Sequence, residues 1–333
     1  MERKTSSTYS DKCSPSSSEN SYDTSESESQ QLILTLGRDP QFAALTDPLI
    51  KPSTPESPVL EIQLEKQIGH GTYGTVFRAI QKINGKFIAC KIIQIDQNET
   101  GFKSKFNLLE KEISLLRRFE HQNIVKYYGS EIKLGSNDHK GEVRIHMEYM
   151  AGGSLSSIVS QYGALSEPLI KNFVRQIVSG LHYLHSHGVV HRDLKGANIL
   201  SDGDGNIKLS DFGASKHIQG LPLISVNSEP CKSIHGSLYW MAPEILKHER
   251  YGRKVDIWSL GCVIIEMATG KHPWEGIRTY EELCANIANM NKPMIPSRLS
   301  ATCQDLVLKC IEFDKKKRLN TSAVLKHPFL ACN

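Results

Sequence analysis

One switch in hydrophobic period, at Met147-Glu148-Tyr149-Met150-Ala151-Gly152-Gly153, limits what this chain can fold into more than any other feature. Before it, apolar residues alternate or form short β-branched runs: Leu60, Ile62 and Leu64, then Thr75–Ile80, Lys86–Ile93, Ile124–Tyr128 and Glu142–Met147. Alternation marks a half-buried strand, because successive strand side chains point to opposite faces. After it, apolar residues recur at helical spacing, as in Leu169, Phe173, Ile177, Gly180-Leu181 and Leu184. Strands gathered in one half and helices in the other predict an α+β, bilobal fold. A small antiparallel sheet with one helix (61–148) precedes a larger, mainly helical lobe (152–330), and the glycines between them mark a hinge.

In the first half, Ile68-Gly69-His70-Gly71-Thr72-Tyr73-Gly74-Thr75-Val76 is a G-x-G-x-x-G-x-V string. Alone it also fits a dinucleotide-binding turn, but there a helix should follow. Here a strand follows, and Asn84-Gly85 signals a two-residue hairpin into the next. Glycines between antiparallel strands let backbone N–H groups approach phosphates closely. Lys91 sits in the third strand, within Ala89-Cys90-Lys91, where a buried ammonium needs a partner. The helix over Phe106–Leu116 supplies Glu112, with Glu110 as the alternative. Residues 134–141 read as a polar hairpin.

In the second half, Ser166-Glu167-Pro168 reads as a helix N-cap with Pro in the first turn. That helix leads to His191-Arg192-Asp193-Leu194-Lys195-Gly196-Ala197-Asn198-Ile199-Leu200. Asp193 can accept a proton from a hydroxyl, Lys195 can neutralise a phosphate, and Asn198 can offer an oxygen to a metal ion. A hairpin turning at Ser201-Asp202-Gly203-Asp204-Gly205 leads to Asp211-Phe212-Gly213. Asp211 is a second oxygen donor, and two such groups suit magnesium held against phosphates. An irregular stretch, 214–235, ends in Gly236-Ser237-Leu238-Tyr239-Trp240-Met241-Ala242-Pro243-Glu244. Asp256–Ile265 is apolar almost all round, as in a helix buried at the centre of a lobe, and Gly270 is its natural stop. Arg318 lies in a basic run and can pair with Glu244.

Residues 1–60 differ in kind. Residues 5–30 are mostly Ser, Thr, Glu and Asp and bury too little to offset their ordering entropy. Prolines 40, 48, 52, 55 and 58 then suggest an extended linker. The apolar island Leu32–Leu36 reads equally as a docking peptide and as a chance patch. Residues 1–60 carry five Lys/Arg against nine Asp/Glu, a net of −4, so 61–333 carry 35 − 27 = +8. No basic stripe interleaved with aromatics argues for nucleic acid. The eight cysteines form no C-x-x-C pair and read as reduced, small hydrophobes. The start, Met1-Glu2-Arg3-Lys4, leads into serines, and the longest apolar run is too short to span a bilayer. A cytosolic or nuclear protein without a membrane span is the expectation.

With every signature in order, residues 62–330 resemble a eukaryotic protein kinase domain. Lys195, two positions after Asp193, resembles serine/threonine kinases. The strings His191–Leu200, Asp211-Phe212-Gly213-Ala214-Ser215-Lys216 and Gly236–Glu244 resemble the MEKK group of MAP kinase kinase kinases; germinal-centre and p21-activated kinases share much of them. The resemblance implies ATP and magnesium as cofactors and protein substrates, MAP kinase kinases among them. The loop Gly69, His70, Gly71, Thr72, Tyr73 and Gly74 would cover the phosphates. Ile68, Val76, Ala89 and Leu200 would sandwich the adenine. Met147 would be the gatekeeper, and Glu148 and Met150 would offer backbone hydrogen bonds to adenine. Lys91 would bind the α- and β-phosphates and pair with Glu112; Asn198 and Asp211 would hold metal. Asp193 would be the base or orienter, and Lys195 would steady the γ-phosphate. Leu116, Tyr127, His191 and Phe212 would stack as a spine, and Asp256 would anchor the catalytic loop.

Arg192 before Asp193 implies that the activation segment needs a negative charge to order it. Ser233 is the first candidate for phosphorylation, followed by Ser228 and Ser225, while Ser237 shapes the substrate site. The family commonly has Thr where His235 stands, so activation rests on Ser233 alone or on dimerisation. A non-catalytic scaffold of the same fold is the opposing reading, whereas a tail-driven adaptor, in which residues 1–60 recruit an activator or scaffold, is compatible with the kinase reading. Lys91, Asp193, Asn198 and Asp211 are all present, which weighs against the scaffold.

Overall fold

The computed structural model describes residues 61–71, 74–96, 109, 113–133, 141–211, 216–217 and 237–331. Five strands form the first sheet: β1 (Ile62–Gly71), β2 (Gly74–Gln81), β3 (Phe87–Ile95), β4 (Tyr127–Lys133) and β5 (Gly141–Glu148). All neighbours are antiparallel, in the order β1-β2-β3-β5-β4. Residues 113–118 are helical (α1), with Leu109, Ile113 and Leu116 buried. Register decides the two faces of the sheet. Val76 lies opposite Lys91 and Ala89 opposite Met147, so these four share one face. The other face holds Ala79, Ile88, Cys90 and Ile92, with Ile62, Leu64, Phe77 and Tyr128 packed against them.

Two local expectations fail for identifiable reasons. Asn84-Gly85 is not a two-residue turn: the loop is Lys82–Gly85, closed by Gln81 N–H to the Lys86 carbonyl at 2.9 Å. Asn84 accepts the Lys86 amide with its side chain at 2.9 Å, so only Gly85, at φ 68°, adopts a left-handed backbone. The strand expected at Ile124 begins at Tyr127. Ile124 instead bridges Leu209 in parallel, and the Val125 amide bonds the Leu209 carbonyl at 2.9 Å. Their β-branched side chains are buried, but against the second lobe.

That lobe contains α2 (Leu155–Tyr162), α3 (Glu167–Ser186), α4 (Pro243–Leu246), α5 (Lys254–Thr269), α6 (Tyr280–Ala288), α7 (Ala301–Cys310), α8 (Thr321–Leu325) and α9 (Pro328–Ala331). Small ladders join β6 (Gly153–Ser154), β8 (Ile199–Ser201) and β9 (Ile207–Leu209), and β7 (Val189–Val190) pairs with β10 (Lys216–His217). Ser166 takes the N-cap position of α3 without a side-chain cap bond; Pro in the first turn leaves fewer amides to satisfy. Every residue of α5 from Val255 to Ala268 is buried, as its all-round apolar sequence predicts. Gly270 ends it at φ 72°, its N–H bonded to the Glu266 carbonyl at 2.8 Å. Cys90, Cys262, Cys303 and Cys310 are buried free thiols, and burial pushes Cys90, Cys303 and Cys310 up to about 12. No helix among the described residues is long and apolar enough to cross a membrane.

Close packing against α5 is strict at one position. A Cβ on Gly261 would lie 2.6 Å from Ile311 Cγ2 and 3.0 Å from Cys310 Cβ. Alanine gains about 1 kcal/mol in helix propensity, but overpacking a well-filled core costs about 1–3 kcal/mol. Gly261→Ala is therefore expected to lower the midpoint of urea denaturation, against the trend for an exposed helix glycine.

Candidate active site

The site begins at a carboxylate in the core. Asp256, in the first turn of α5, has no solvent exposure. Its Oδ2 accepts the His191 amide at 2.9 Å and its Oδ1 the Arg192 amide at 2.8 Å. His185 Nε2 donates to Oδ2 at 2.7 Å. Burial pushes the Asp256 carboxyl up, but the His185 hydrogen bond and the His185 and His191 charges, with the Arg192 amide, outweigh it and hold the group below the usual carboxylate value. Two amides on one carboxylate also hold Arg192 at φ 72°, a backbone that side-chain-bearing residues rarely adopt. His191 Nε2 donates to the Ser210 carbonyl at 3.1 Å, and its Nδ1 accepts the Asp193 amide at 3.3 Å.

From this anchor the loop presents its polar groups. Asn198 Nδ2 donates to the Asp193 carbonyl at 2.8 Å and to Asp193 Oδ2 at 2.9 Å. Lys195 Nζ donates to the same Oδ2 at 2.9 Å and to Ser237 Oγ at 2.6 Å. Asp193 Oδ1 takes no hydrogen bond from a described residue. Ser237 therefore reaches Asp193 through Lys195. The Asn198 carbonyl accepts both the amide and the hydroxyl of Ser210, at 2.9 and 3.0 Å, which ties the loop to β9 and Asp211.

Across the hinge, Lys91 Nζ lies 3.2 Å from Asp211 Oδ1. Burial pushes the Asp211 carboxyl up, and the Lys91 charge and hydrogen bond, helped by His191 and Lys195, pull it below its usual value. Glu112 and Glu110 lie outside the described residues, as do Thr72, Tyr73, Phe212, Ser225, Ser228, Ser233 and His235. Of the expected spine, Leu116 and His191 are buried and Tyr127 is half-buried.

The glycine loop joins β1 and β2, with Gly71 opposite Gly74 and Gly69 opposite Val76. Gly74, at φ 145°, is required by the sheet itself, because a Cβ there would overlap the Ile92 carbonyl. A Cβ on Gly69 would meet only Val76, at 3.8 Å. His70 Nδ1 lies 3.0 Å from Thr75 Oγ1. Of the apolar set, Ala89 and Met150 are buried, Val76, Met147 and Leu200 half-buried, and Ile68 exposed. The Glu148 amide is taken by the Lys126 carbonyl at 2.8 Å, and its carboxylate by Lys208 Nζ at 2.8 and 2.9 Å.

Further out, Arg318 holds Glu244 with two bonds, at 2.6 and 3.0 Å, beneath the segment that carries Ser237. The Arg192 guanidinium lies over the Tyr251 ring at 5.3 Å. Among the described residues no group of three or more His, Cys, Asp or Glu could hold a metal ion. The oxygens of Asp211 and Asn198 suit a hard cation that keeps water and phosphate ligands. Sequence reasoning missed Glu266, Trp240 and Ser156. The available signal was a lone carboxylate in the apolar run Ile264-Ile265-Glu266-Met267.

A β-sheet lobe, a helical lobe and this polar loop between them describe a bilobal α+β fold. The sequence matches the protein kinase domain over residues 62–330, and the chain belongs to that family. It is 41% identical over 266 residues to mitogen-activated protein kinase kinase kinase A of Dictyostelium discoideum, covering 79% of this chain and 27% of that protein. Mitogen-activated protein kinase kinase kinase 3 of Arabidopsis thaliana is 39% identical over 266 residues, 80% of this chain and 42% of that protein. The human protein of that name is 39% identical over 264 residues, 79% of this chain and 41% of that protein. The chain thus spans less than half the length of these relatives.

Replacing Asp256 by Asn puts an amide where an acceptor is needed and leaves a buried N–H of His191 or Arg192 unpaired. The expected loss is about 3 kcal/mol. A carboxyl held below its usual value stabilises fully above the ordinary carboxylate range and loses that contribution as acid titrates it through the folded value. The stability gap between wild type and Asp256→Asn, measured by thermal denaturation, is expected to be full at neutral pH and to narrow in acid.

Proposed function

We propose that this chain is a serine/threonine protein kinase that moves the γ-phosphoryl group of ATP to a protein hydroxyl, with MAP kinase kinases as its acceptors. The observation that carries the reading is the convergence of Asn198 and Lys195 on Asp193 Oδ2, with Ser237 on the same ammonium. Two donors on Oδ2 fix the orientation of the carboxylate and leave Oδ1 to face the acceptor hydroxyl. As the acceptor oxygen bonds to the γ-phosphorus and the bond from that phosphorus to the β–γ bridging oxygen breaks to release ADP, Asp193 orients the hydroxyl and takes its proton. Lys195, already between Asp193 and Ser237, carries positive charge to the place where the transferred group would pass. Lys91 would meet the α- and β-phosphates, and Asp211 and Asn198 would turn their oxygens to metal. Magnesium, when bound, supplies neutralisation of phosphate charge.

The acceptor class rests on the relatives, each named a mitogen-activated protein kinase kinase kinase. In this reading Arg192 receives a phosphate on the activation segment, with Ser233 ahead of Ser228 and Ser225, and residues 1–60 recruit an activator or scaffold.

Asp193→Asn is expected to lower transfer to a protein acceptor by about 10²–10⁴-fold, the usual range for a lost general base. Lys91→Met is expected to abolish it, read as radiolabelled phosphate incorporation from ATP. Retention of most activity in either variant would remove the role assigned to that residue. Incubation with a panel of inactive MAP kinase kinases tests the acceptor class. Labelling of generic acceptors but of no MAP kinase kinase would leave a kinase of another branch.

A further inference from the structure

Glu266 is a buried carboxylate that the chemistry above does not use. It sits near the end of α5, only 4% exposed, and three elements converge on it. Ser156 Oγ, from α2, donates to its Oε1 at 2.7 Å. The Gly196 amide, from the loop carrying Asp193 and Lys195, donates to Oε2 at 3.1 Å. Trp240 Nε1, from the segment carrying Ser237, donates to Oε2 at 2.9 Å. All three donors are neutral, and burial pushes the Glu266 carboxyl up against the hydrogen bonds that pull it down.

Two details show how closely the arrangement is built. A Cβ on Gly196 would overlap the Glu266 carboxylate and crowd Ser156 Oγ at 2.6 Å, so glycine is needed there for the carboxylate to reach the amide. Trp240 is fixed a second time, its carbonyl accepting Ser259 Oγ at 2.7 Å from α5. The neighbouring Tyr239 stacks on His272 at 4.4 Å and donates to the Ile277 carbonyl at 3.3 Å. The acceptor-side segment is thus pinned through residues 239 and 240, and among the described residues Glu266 joins that pin to the backbone of the candidate catalytic loop.

We propose that Glu266 is a positioning residue, which sets the acceptor-side segment at Ser237–Trp240 against the Asp193–Lys195 loop by accepting the Trp240 indole and the Gly196 amide on one oxygen. The proposal rests on the kinase reading for its kinetic consequence, but not for its structural one. It predicts that geometry, not charge, is what matters. In Glu266→Gln the amide oxygen can still accept both N–H groups, while the amide nitrogen donates to Ser156 Oγ, which reverses its role. In Glu266→Ala both N–H groups lose their partner, and a buried unsatisfied donor is costly enough to shift the segment.

The test compares wild type, Glu266→Gln, Glu266→Ala and Trp240→Phe in the full chain. Glu266→Ala is expected to lower kcat/KM for a protein acceptor by about ten-fold or more, as an unpaired buried donor implies, with KM for ATP unchanged. Glu266→Gln should stay within about two-fold of wild type, since it can make all three hydrogen bonds. Trp240→Phe should lose part of the activity, and adding Glu266→Ala to it should cost less than in wild type. Hydrogen exchange gives the readout that needs no activity: faster exchange at Gly196 and across 238–241 in Glu266→Ala, and near-native exchange in Glu266→Gln. Equal impairment of the Gln and Ala variants, or unchanged exchange at both segments in Glu266→Ala, overturns the proposal. Absence of transfer by wild type, with the exchange pattern as expected, would sink the kinase reading and leave the positioning role standing.

Discussion

The site depends on one buried carboxylate. Asp256 stands on a helix that is buried from Val255 to Ala268, and it accepts two consecutive backbone amides from the loop above. A buried charge is costly unless it is hydrogen-bonded throughout, so the helix cannot tolerate this carboxylate without the loop. The loop cannot hold Arg192 in its unusual backbone without the carboxylate. Each makes the other affordable, and the polar side chains of residues 193–198 take their positions from that exchange.

A second carboxylate on the same helix, Glu266, repeats the principle ten residues on. One end of the helix holds the start of the loop and the other holds Gly196 and Trp240. An apolar helix packed on all sides is a rigid base, because close-packed interiors transmit displacement rather than absorb it. Its two carboxylates carry that rigidity up to the polar groups. The first lobe contributes differently: Lys91 reaches Asp211 from β3, and this ion pair joins the lobes across the cleft. Glu148 and Lys208 make a second link beside the hinge.

Burial also divides the polar residues into two kinds. Arg318 and Glu244 are fully paired and fully enclosed, which suits a permanent strut under the segment that ends at Glu244. Asp193, Lys195 and Ser237 are only partly enclosed, with Asp193 and Lys195 side chains 20% and 18% exposed. Their bonds can be exchanged for bonds to a ligand without opening the core. That difference, not residue type, separates the groups free to meet a substrate from those that hold the frame.

Much of this was legible from residue order alone. Period separated the sheet lobe from the helical lobe, and the apolar run at Asp256–Ile265 announced a buried helix. The spacing of Asp193, Lys195 and Asn198 put these polar groups on one short loop, where hydrogen bonds join them. These readings succeed because side-chain period and short-range spacing are local properties. Where the strand near Ile124 begins was not local, since β-branched residues suit either sheet and only packing sent Ile124 and Val125 to Leu209. Nor was the loop at Lys82–Gly85, where Asn84 used its side chain in place of its backbone. The partners of Glu266 were hidden for the same reason: Ser156, Gly196 and Trp240 lie far apart along the chain. A hydrogen bond between distant segments exists only once the core has set their distance. Sequence alone determined which groups were available, and the tertiary structure decided which of them face one another.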